Sequence, residues 1–207
     1  MAAEAGCGEM RALGLSLALA APGVLAQSWN FDVRLDGKLI GSHRFTVEGP
    51  PESREVLSTA RFDVKLLGIS VYRYRHEARE RWRGDCLQDL HSRTDDDGKA
   101  LEIDRRAEED GNSACLMSYA YWNPGLLAQQ RLLNPQTGEI DELRVERLPD
   151  AVIPVAGRDV EATRWRLSAK SAGAKQEITV WRDRRDGRWI GLDAEVKGGR
   201  VLSYRLP

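Results

Sequence analysis

The sequence carries no surplus of either charge. Lysine and arginine total 31 and aspartate and glutamate 32 in 207 residues, a net charge of −1. Without a basic excess there is nothing to drive non-specific binding to nucleic acid. Histidine and cysteine are scarce, three of each. No C-x-x-C occurs and no histidine stands at ligand spacing from a cysteine, so no metal site is read. A G-x-S-x-G nucleophile motif is missing. So is a glycine-rich phosphate loop, because Gly198-Gly199 reads as a hairpin turn with no helix behind it. No residue is therefore assigned a catalytic role and no cofactor is expected. Long apolar runs are missing except at the extreme N-terminus, which leaves no helical membrane span in the rest of the chain. The residues that are present, 42% apolar and 30% charged, are not the mix of a disordered chain. The length suits a single domain that buries about 70% of its unfolded surface.

The N-terminal run reads as an address. Met10-Arg11 precedes an apolar stretch from Ala12 to Ala21, Pro22-Gly23 breaks it, and Val24-Leu25-Ala26 places small or medium side chains where a signal peptidase reads. This is the secretory signal pattern, with cleavage expected after Ala26 and export to the periplasm. Glu4 and Glu9 spoil a basic leader, so Met10 is the expected start. The remaining domain, 27–207, loses one basic and two acidic residues, which leaves 31 − 1 = 30 against 32 − 2 = 30. It keeps two cysteines, Cys86 and Cys115. In an oxidising compartment an even pair points to one disulfide, with two free buried thiols as the alternative.

The rest reads as strand after strand. Trp29, Phe31, Val33 and Leu35 alternate with polar residues, the period of a half-buried strand. After Asp36-Gly37 the alternation resumes with Leu39, Gly41, His43, Phe45 and Val47. A two-residue loop would put Ile40 and Ser42 on the apolar face. A three-residue loop pairs Leu35 with Leu39 and Trp29 with Phe45, and is preferred. Further strands are expected from Val56 to Leu66, with Gly68 breaking the run, then from Tyr72 to Trp82, Cys86 to Thr94, Leu101 to Ala107 and Cys115 to Trp122. Others follow from Leu143 to Leu148, Val160 to Ala169, Gln176 to Arg182, Arg188 to Val196 and Arg200 to Leu206. Asn123-Pro124, an N-cap followed by proline, starts one short helix through Arg131. The expected fold is all-β: one strongly curved antiparallel meander of about eleven strands, an open or half barrel. An outer-membrane barrel is excluded, because Arg73, Arg75, Arg79 and Arg81 would face lipid at roughly 2–4 kcal/mol each at mid-depth.

Three stretches carry a resemblance. They are Tyr119-Ala120-Tyr121-Trp122-Asn123-Pro124 with Leu132-Leu133-Asn134-Pro135-Gln136-Thr137-Gly138-Glu139; Asp36-Gly37-Lys38 with Ile40-Gly41 and His43; and Tyr74 and His76 with Glu80 and Trp82. Together they resemble an uncharacterised family of exported bacterial proteins with a domain of unknown function, over essentially the whole of 27–207. The resemblance implies location and fold but no substrate. More distantly the strand pattern is similar to periplasmic half-barrels such as the lipoprotein carriers of the Lol system, an architectural analogy from which this chain departs in offering just one short helix as a lid.

Candidate ligand-binding residues follow from face and type. Tyr74, His76 and Trp82 share the inward face of one strand with Tyr72 and Glu80, and His43 lies on an apolar face. Tyr119, Tyr121, Trp122 and Asn123 flank the strand-to-helix junction, where rings with polar edges suit a pocket mouth. The bland alternative is that the histidines are hydrogen-bonded core residues and the rings a plug. Arg131 and Asn134 stand near that junction as a possible head-group hold. His91 reads as solvent-facing, and Asp141-Glu142 as turn residues in water. A Cys86–Cys115 bridge in a strict meander has a strand between its halves, roughly 9.5 Å across two spacings, beyond the roughly 7 Å limit; it works only if that middle strand ends early. Three functions remain open: carriage of an apolar or amphipathic, lipid-like ligand in the concave face; a hydrolase or isomerase using an inward histidine; or a structural module of an envelope assembly, with no partner protein identified.

Overall fold

The structure is a computed structural model that describes residues 26–106, 115–171, 174–196 and 198–207. The expected leader and the expected turn at Asp110–Asn112 lie outside the described residues. Thirteen strands follow one another: β1 Gln27–Leu35, β2 Lys38–Glu48, β3 Arg54–Leu66, β4 Ile69–Arg83, β5 Cys86–Asp96, β6 Lys99–Arg106, β7 Met117–Ser118, β8 Arg131–Leu133, β9 Ile140–Val155, β10 Arg158–Ser171, β11 Ala174–Asp183, β12 Trp189–Val196 and β13 Arg200–Arg205. They make one sheet in the order β6-β5-β4-β3-β2-β1-β13-β12-β11-β10-β9-β8-β7. Every pairing is antiparallel except β7 with β8, which is parallel. The all-β, curved-meander expectation holds, with thirteen strands in place of about eleven.

The difference in count arises at the junction. The expected strand from Cys115 to Trp122 is only Met117–Ser118, and the chain turns away at Tyr119–Asn123. Asn123 then caps a 3₁₀ helix, Pro124–Ala128, by accepting the Gly125 N–H at 2.9 Å. The cap was legible. The helix is a single tight stretch rather than two α-turns to Arg131, because Gln129 is already extended and Arg131 begins β8.

The first hairpin shows how parity is kept. The turn is the two-residue Asp36-Gly37, both at positive φ (50° and 80°), so Leu35 pairs with Lys38 rather than Leu39. A bulge between Val33 and Arg34 restores the expected pairing farther along, with Phe31 opposite His43 and Trp29 opposite Phe45. Ile40 is the extra residue and is buried, while Leu39 is left exposed. Gly41 next to the bulge has φ 157°, and a Cβ there would stand 1.9 Å from the Arg61 carbonyl oxygen on β3. Leu67-Gly68, Asp97-Gly98 and Ala156-Gly157 are two-residue turns of the same positive-φ kind, whose twist matches that of the strands they join. Gly68 is thus the tip of a hairpin, and β4 starts at Ile69.

Alternate residues face a shared interior. Phe31, Val33, Trp82, Leu90, Met117, Leu126, Leu167, Val180 and Trp189 are almost completely buried in one cluster. The outward residues of β4, including Arg73, Arg75, Glu77, Arg79 and Arg81, are exposed. Among the described residues no helix is long and apolar enough to cross a membrane.

The two ends of the sheet meet without a continuous ladder between them. Among the described residues β6 pairs with β5 only as far as Arg106 opposite Asp89, which leaves Cys86–Gln88 to another segment. Into that gap comes the segment before β7. Cys86 is bonded to Cys115 with Cα atoms 4.8 Å apart, and the Leu87 N–H donates to the Leu116 carbonyl at 2.9 Å. Ser92 Oγ donates to the Pro135 carbonyl at 2.6 Å, and Ile103 packs over Gly138. The middle strand does end early, which is the condition the bridge required.

Two outcomes test this account. Replacing Gly41 with alanine drives a methyl into the Arg61 carbonyl and is expected to cost about 2–4 kcal/mol in urea unfolding. Gly98→Ala, with nothing within 4 Å of its Cβ, is expected to cost only about 1 kcal/mol for its positive φ. The Cys86→Ser/Cys115→Ser variant opens a loop spanning 29 residues and is expected to lose about 3–4 kcal/mol. The same midpoint with and without a reducing agent would contradict the stapled closure.

Candidate functional site

The eight sequence-derived site residues fall into two groups at different heights inside the sheet. The first is a plug at the end where β4 turns into β5. Trp82 is 1% exposed and meets Trp122 edge-on, ring centroids 5.5 Å apart. Asn123 donates its side-chain N–H to Asp85 Oδ1 at 2.8 Å, which ties the 3₁₀ helix to the β4–β5 turn. Arg54 lies over the Trp122 ring, 5.5 Å from its centroid. Buried Arg182, its pKa lowered to about 10 by desolvation, donates to the carbonyl of Tyr121 at 2.7 Å and of Gly187 at 2.9 Å. Below them Trp189 packs against Phe31 at 4.4 Å and Tyr121 at 5.4 Å. The rings placed at a pocket mouth by their types are here a packed seal.

The second group is a polar band halfway along the interior. Ala60 of β3 faces His43 on one side and His76 on the other. His43 Nε2 lies 2.7 Å from Ser58 Oγ and Nδ1 lies 3.2 Å from the Tyr204 hydroxyl. Each ring nitrogen therefore has a partner in either neutral tautomer. His76 Nδ1 is 2.9 Å from Thr94 Oγ1. Tyr74 stacks on Phe62 at 5.1 Å. Its ring is buried, and its hydroxyl has no hydrogen-bond partner. Tyr119 donates its hydroxyl to Asp141 Oδ2 at 2.6 Å, and Asn134 donates to the same oxygen at 3.3 Å.

Burial sets the electrostatics of the band. It pushes the His43 pKa well below the ordinary value, helped by the nearby charge of His76. It carries His76 down to about 4, against the opposing pull of Glu77. Burial and then Tyr204 push the Tyr74 hydroxyl above the usual phenol range, and burial and then the bond to Asp141 do the same to Tyr119. Glu80, between the groups, is raised by burial although Ser118 and Trp82 hydrogen-bond to it. His43, His76 and Glu80 are thus held towards neutrality.

Some placements differ from the reading of the sequence. Asp141 is 1% exposed on β9, not in a turn facing water; it shares the parity of inward Leu143, which is the signal that could have found it. Asn134 serves Asp141 and the Gln136 N–H rather than an open head-group site, and Arg131 is exposed. Tyr204, Ser58 and Thr94, the partners of the histidines, were legible only as inward members of alternating strands. Among the described residues no three His, Cys, Asp or Glu side chains come together in a way that could hold a metal ion. A groove of about 1080 Å³ does exist on the outer face of β1–β5, lined by Arg44, Thr59, Arg61, Arg79, Arg81 and His91 among others. It lies outside the sheet, not in the aromatic-lined interior.

The sequence matches a family model described as Domain of unknown function (DUF6134) over residues 31–207, and the chain belongs to that family. No curated protein matches it. Among solved structures it is similar to a beta-barrel-like protein of domain of unknown function DUF1849 from Brucella abortus, with TM-score 0.57, 10% identity, and coverage of 89% of this chain and 96% of that one. That likeness is one of fold.

The buried histidines predict a pH dependence. Each titrates near 6.5 in the unfolded chain. Between that value and the lower folded one the unfolded state binds more protons, so stability falls as pH drops from about 6.5 towards about 4, and is flat above about 7. Glu80 acts in the opposite sense, keeping its proton in the folded state above its ordinary 4.5. For His76 the loss is on the order of 3 kcal/mol across the window. Urea midpoints in that window are expected to fall for the native chain and to fall less steeply for His76→Gln; a flat native profile would contradict the burial.

Proposed function

We propose that this protein binds an amphipathic, lipid-like small molecule inside its curled sheet, and that it works in the periplasm once a leader ending at Ala26 is removed. The observation that carries the reading is the Tyr74 hydroxyl, a buried donor without a partner in a band where Asp141 Oδ1 is likewise unmatched. A buried hydroxyl left unmatched costs about 1–3 kcal/mol, and a ligand head group accepting a hydrogen bond from it removes that cost. Phe62, Val64 and Tyr72 on the neighbouring inward positions supply apolar wall for an alkyl chain. The two ends of the interior are unequal, which supports an entry route. The plug of Trp82, Trp122 and Trp189 closes one end. At the other, Val64, Tyr72, Ile103, Ile140, Val196 and Leu202 are only partly buried. The disulfide fits an oxidising compartment.

The contact between Ser58 Oγ and His43 Nε2 favours a second reading, hydrolysis by a serine nucleophile. Its weakness is at the other nitrogen. Proton transfer to His43 creates an imidazolium, and the group at Nδ1 is the neutral phenol of Tyr204 rather than a carboxylate. In so dry a site that charge has nothing to offset it.

Extraction of the purified protein into organic solvent followed by mass spectrometry is expected to release lipid, and added lipid to displace a bound fluorescent fatty acid. Tyr74→Phe keeps the ring and is expected to weaken displacement roughly 5–10-fold, the worth of one hydrogen bond. No released lipid and no displacement from the native chain would overturn the reading.

A further inference from the structure

The exposed aliphatic side chains are not scattered over the surface. Of the eight large ones among the described residues, four crowd the β3–β4 tip: Leu66, Leu67, Ile69 and Val71. Leu39, Leu101 and Val201 lie beside three neighbouring turns, and only Val152 is elsewhere. These turns share one end of the barrel. Lys38 Nζ donates to the Lys65 carbonyl at 3.1 Å, Asp36 N–H to the Val201 carbonyl at 2.8 Å, and Asp97 N–H to the Arg73 carbonyl at 2.8 Å.

Among the described residues, lysine is confined to the same end. The chain has six lysines against 25 arginines. Lys38, Lys65 and Lys99 stand within two residues of those turns. Lys170 and Lys175 face each other across the β10–β11 hairpin. That hairpin is at the same end, since Ile178 pairs with Ala194, Ala194 with Leu202, and Leu202 with Leu35. Lys197, the sixth, lies outside the described residues. The aspartates here are each hydrogen-bonded locally, and Asp63 also lies 4.0 Å from the Lys65 ammonium. Asp36 holds Arg200 and the Val201 N–H, Asp63 accepts from Ser70 Oγ, Asp95 from the Gly98 N–H, Asp96 from the Tyr72 hydroxyl and Asp97 from the Arg73 N–H.

Two of these features work against the folded chain in water. Leu67 occupies the first position of a positive-φ turn, φ 50°, and is 95% exposed. Asparagine, aspartate or glycine favours that slot, and leucine gains neither burial nor backbone ease there. Like charges directly opposite across a strand pair, as Lys170 and Lys175 are, repel. Both features become favourable against one kind of surface: apolar just below its boundary and negative at it. We propose that this end of the barrel docks on an anionic lipid bilayer, the β3–β4 tip entering the boundary between headgroups and acyl chains and the lysines meeting lipid phosphates. Lysine suits the task, since its long apolar stem lies along the boundary while its ammonium stays in water. Tip insertion and lysine attraction act together, as two weak anchors must for stable binding. The proposal does not rest on a ligand inside the sheet.

The test is flotation of the native protein with phosphatidylcholine vesicles made with and without phosphatidylglycerol, at low and high salt. Binding is expected on the anionic vesicles, to weaken on the order of tenfold without phosphatidylglycerol and to weaken with salt. Leu67→Asn/Ile69→Ser is expected to lose on the order of tenfold in binding with an unchanged unfolding midpoint, since asparagine suits the turn. Lys170→Gln/Lys175→Gln is expected to reduce the salt dependence. Fatty-acid displacement is expected to be the same in all three proteins, which separates this result from the ligand reading. Absence of native binding, binding indifferent to both pairs of substitutions, or a dimer dissolved by Leu67→Asn without vesicle binding would overturn the proposal.

Discussion

A sheet of thirteen strands has two edges, and everything else in this protein depends on how they are brought together. A ladder of that width twists and curls until its ends approach, but β6 and β7 do not pair. The ends are instead pinned at points: one disulfide, one backbone hydrogen bond beside it, one serine hydroxyl on a proline carbonyl and one isoleucine over a glycine. Pinning works because β6 stops short and leaves the first residues of β5 for another segment to reach. The core then closes around side chains from strands far apart in sequence, with Phe31 of β1 against Trp189 of β12.

Once closed, the interior is divided by chemistry along its length. Tryptophans and aliphatic side chains fill one end to the exclusion of solvent. The middle holds two histidines with Ser58, Thr94 and Tyr204 as their partners, and an inward aspartate bonded by Tyr119, while the Tyr74 hydroxyl and Asp141 Oδ1 are left unmatched. The far end is only partly filled. Buried polar groups of this kind are stabilising when fully matched and costly when they are not. A band of them inside an apolar tube is therefore a place where the chain has accepted a cost that a greasier core would avoid.

Much of this was legible in the alternation of residue types. The inward faces of β1, β3 and β4, the helix cap at Asn123 and the even cysteine pair all follow from period, turn chemistry and parity. Details failed where a local device overrode the period. The bulge at Val33/Arg34 let a two-residue turn coexist with the Trp29–Phe45 pairing, so Ile40 went inward and Leu39 outward. The segment after Met117 has the alternation of a strand, yet its backbone bonds locally, the Asn123 N–H to the Ala120 carbonyl at 2.8 Å, and so turns away from the ladder. The site was harder to read than the fold. Face and residue type placed His43, His76 and Tyr74 inside, but which hydroxyl meets which nitrogen depends on register between strands, as with Tyr204, which is 161 positions from His43. Sequence period does not carry that information.

The position of β1 has a kinetic consequence. It lies between β2 and β13, so each half of the sheet is built from neighbours in sequence and the ladder joins the halves through β1 and β13. Local hairpins form in about 1–10 μs, whereas the join closes a loop of nearly the whole chain, and such late non-local contacts slow folding. Until Arg200–Arg205 arrives, one side of the first strand stays an open edge, exposed for as long as that distant strand takes to reach it.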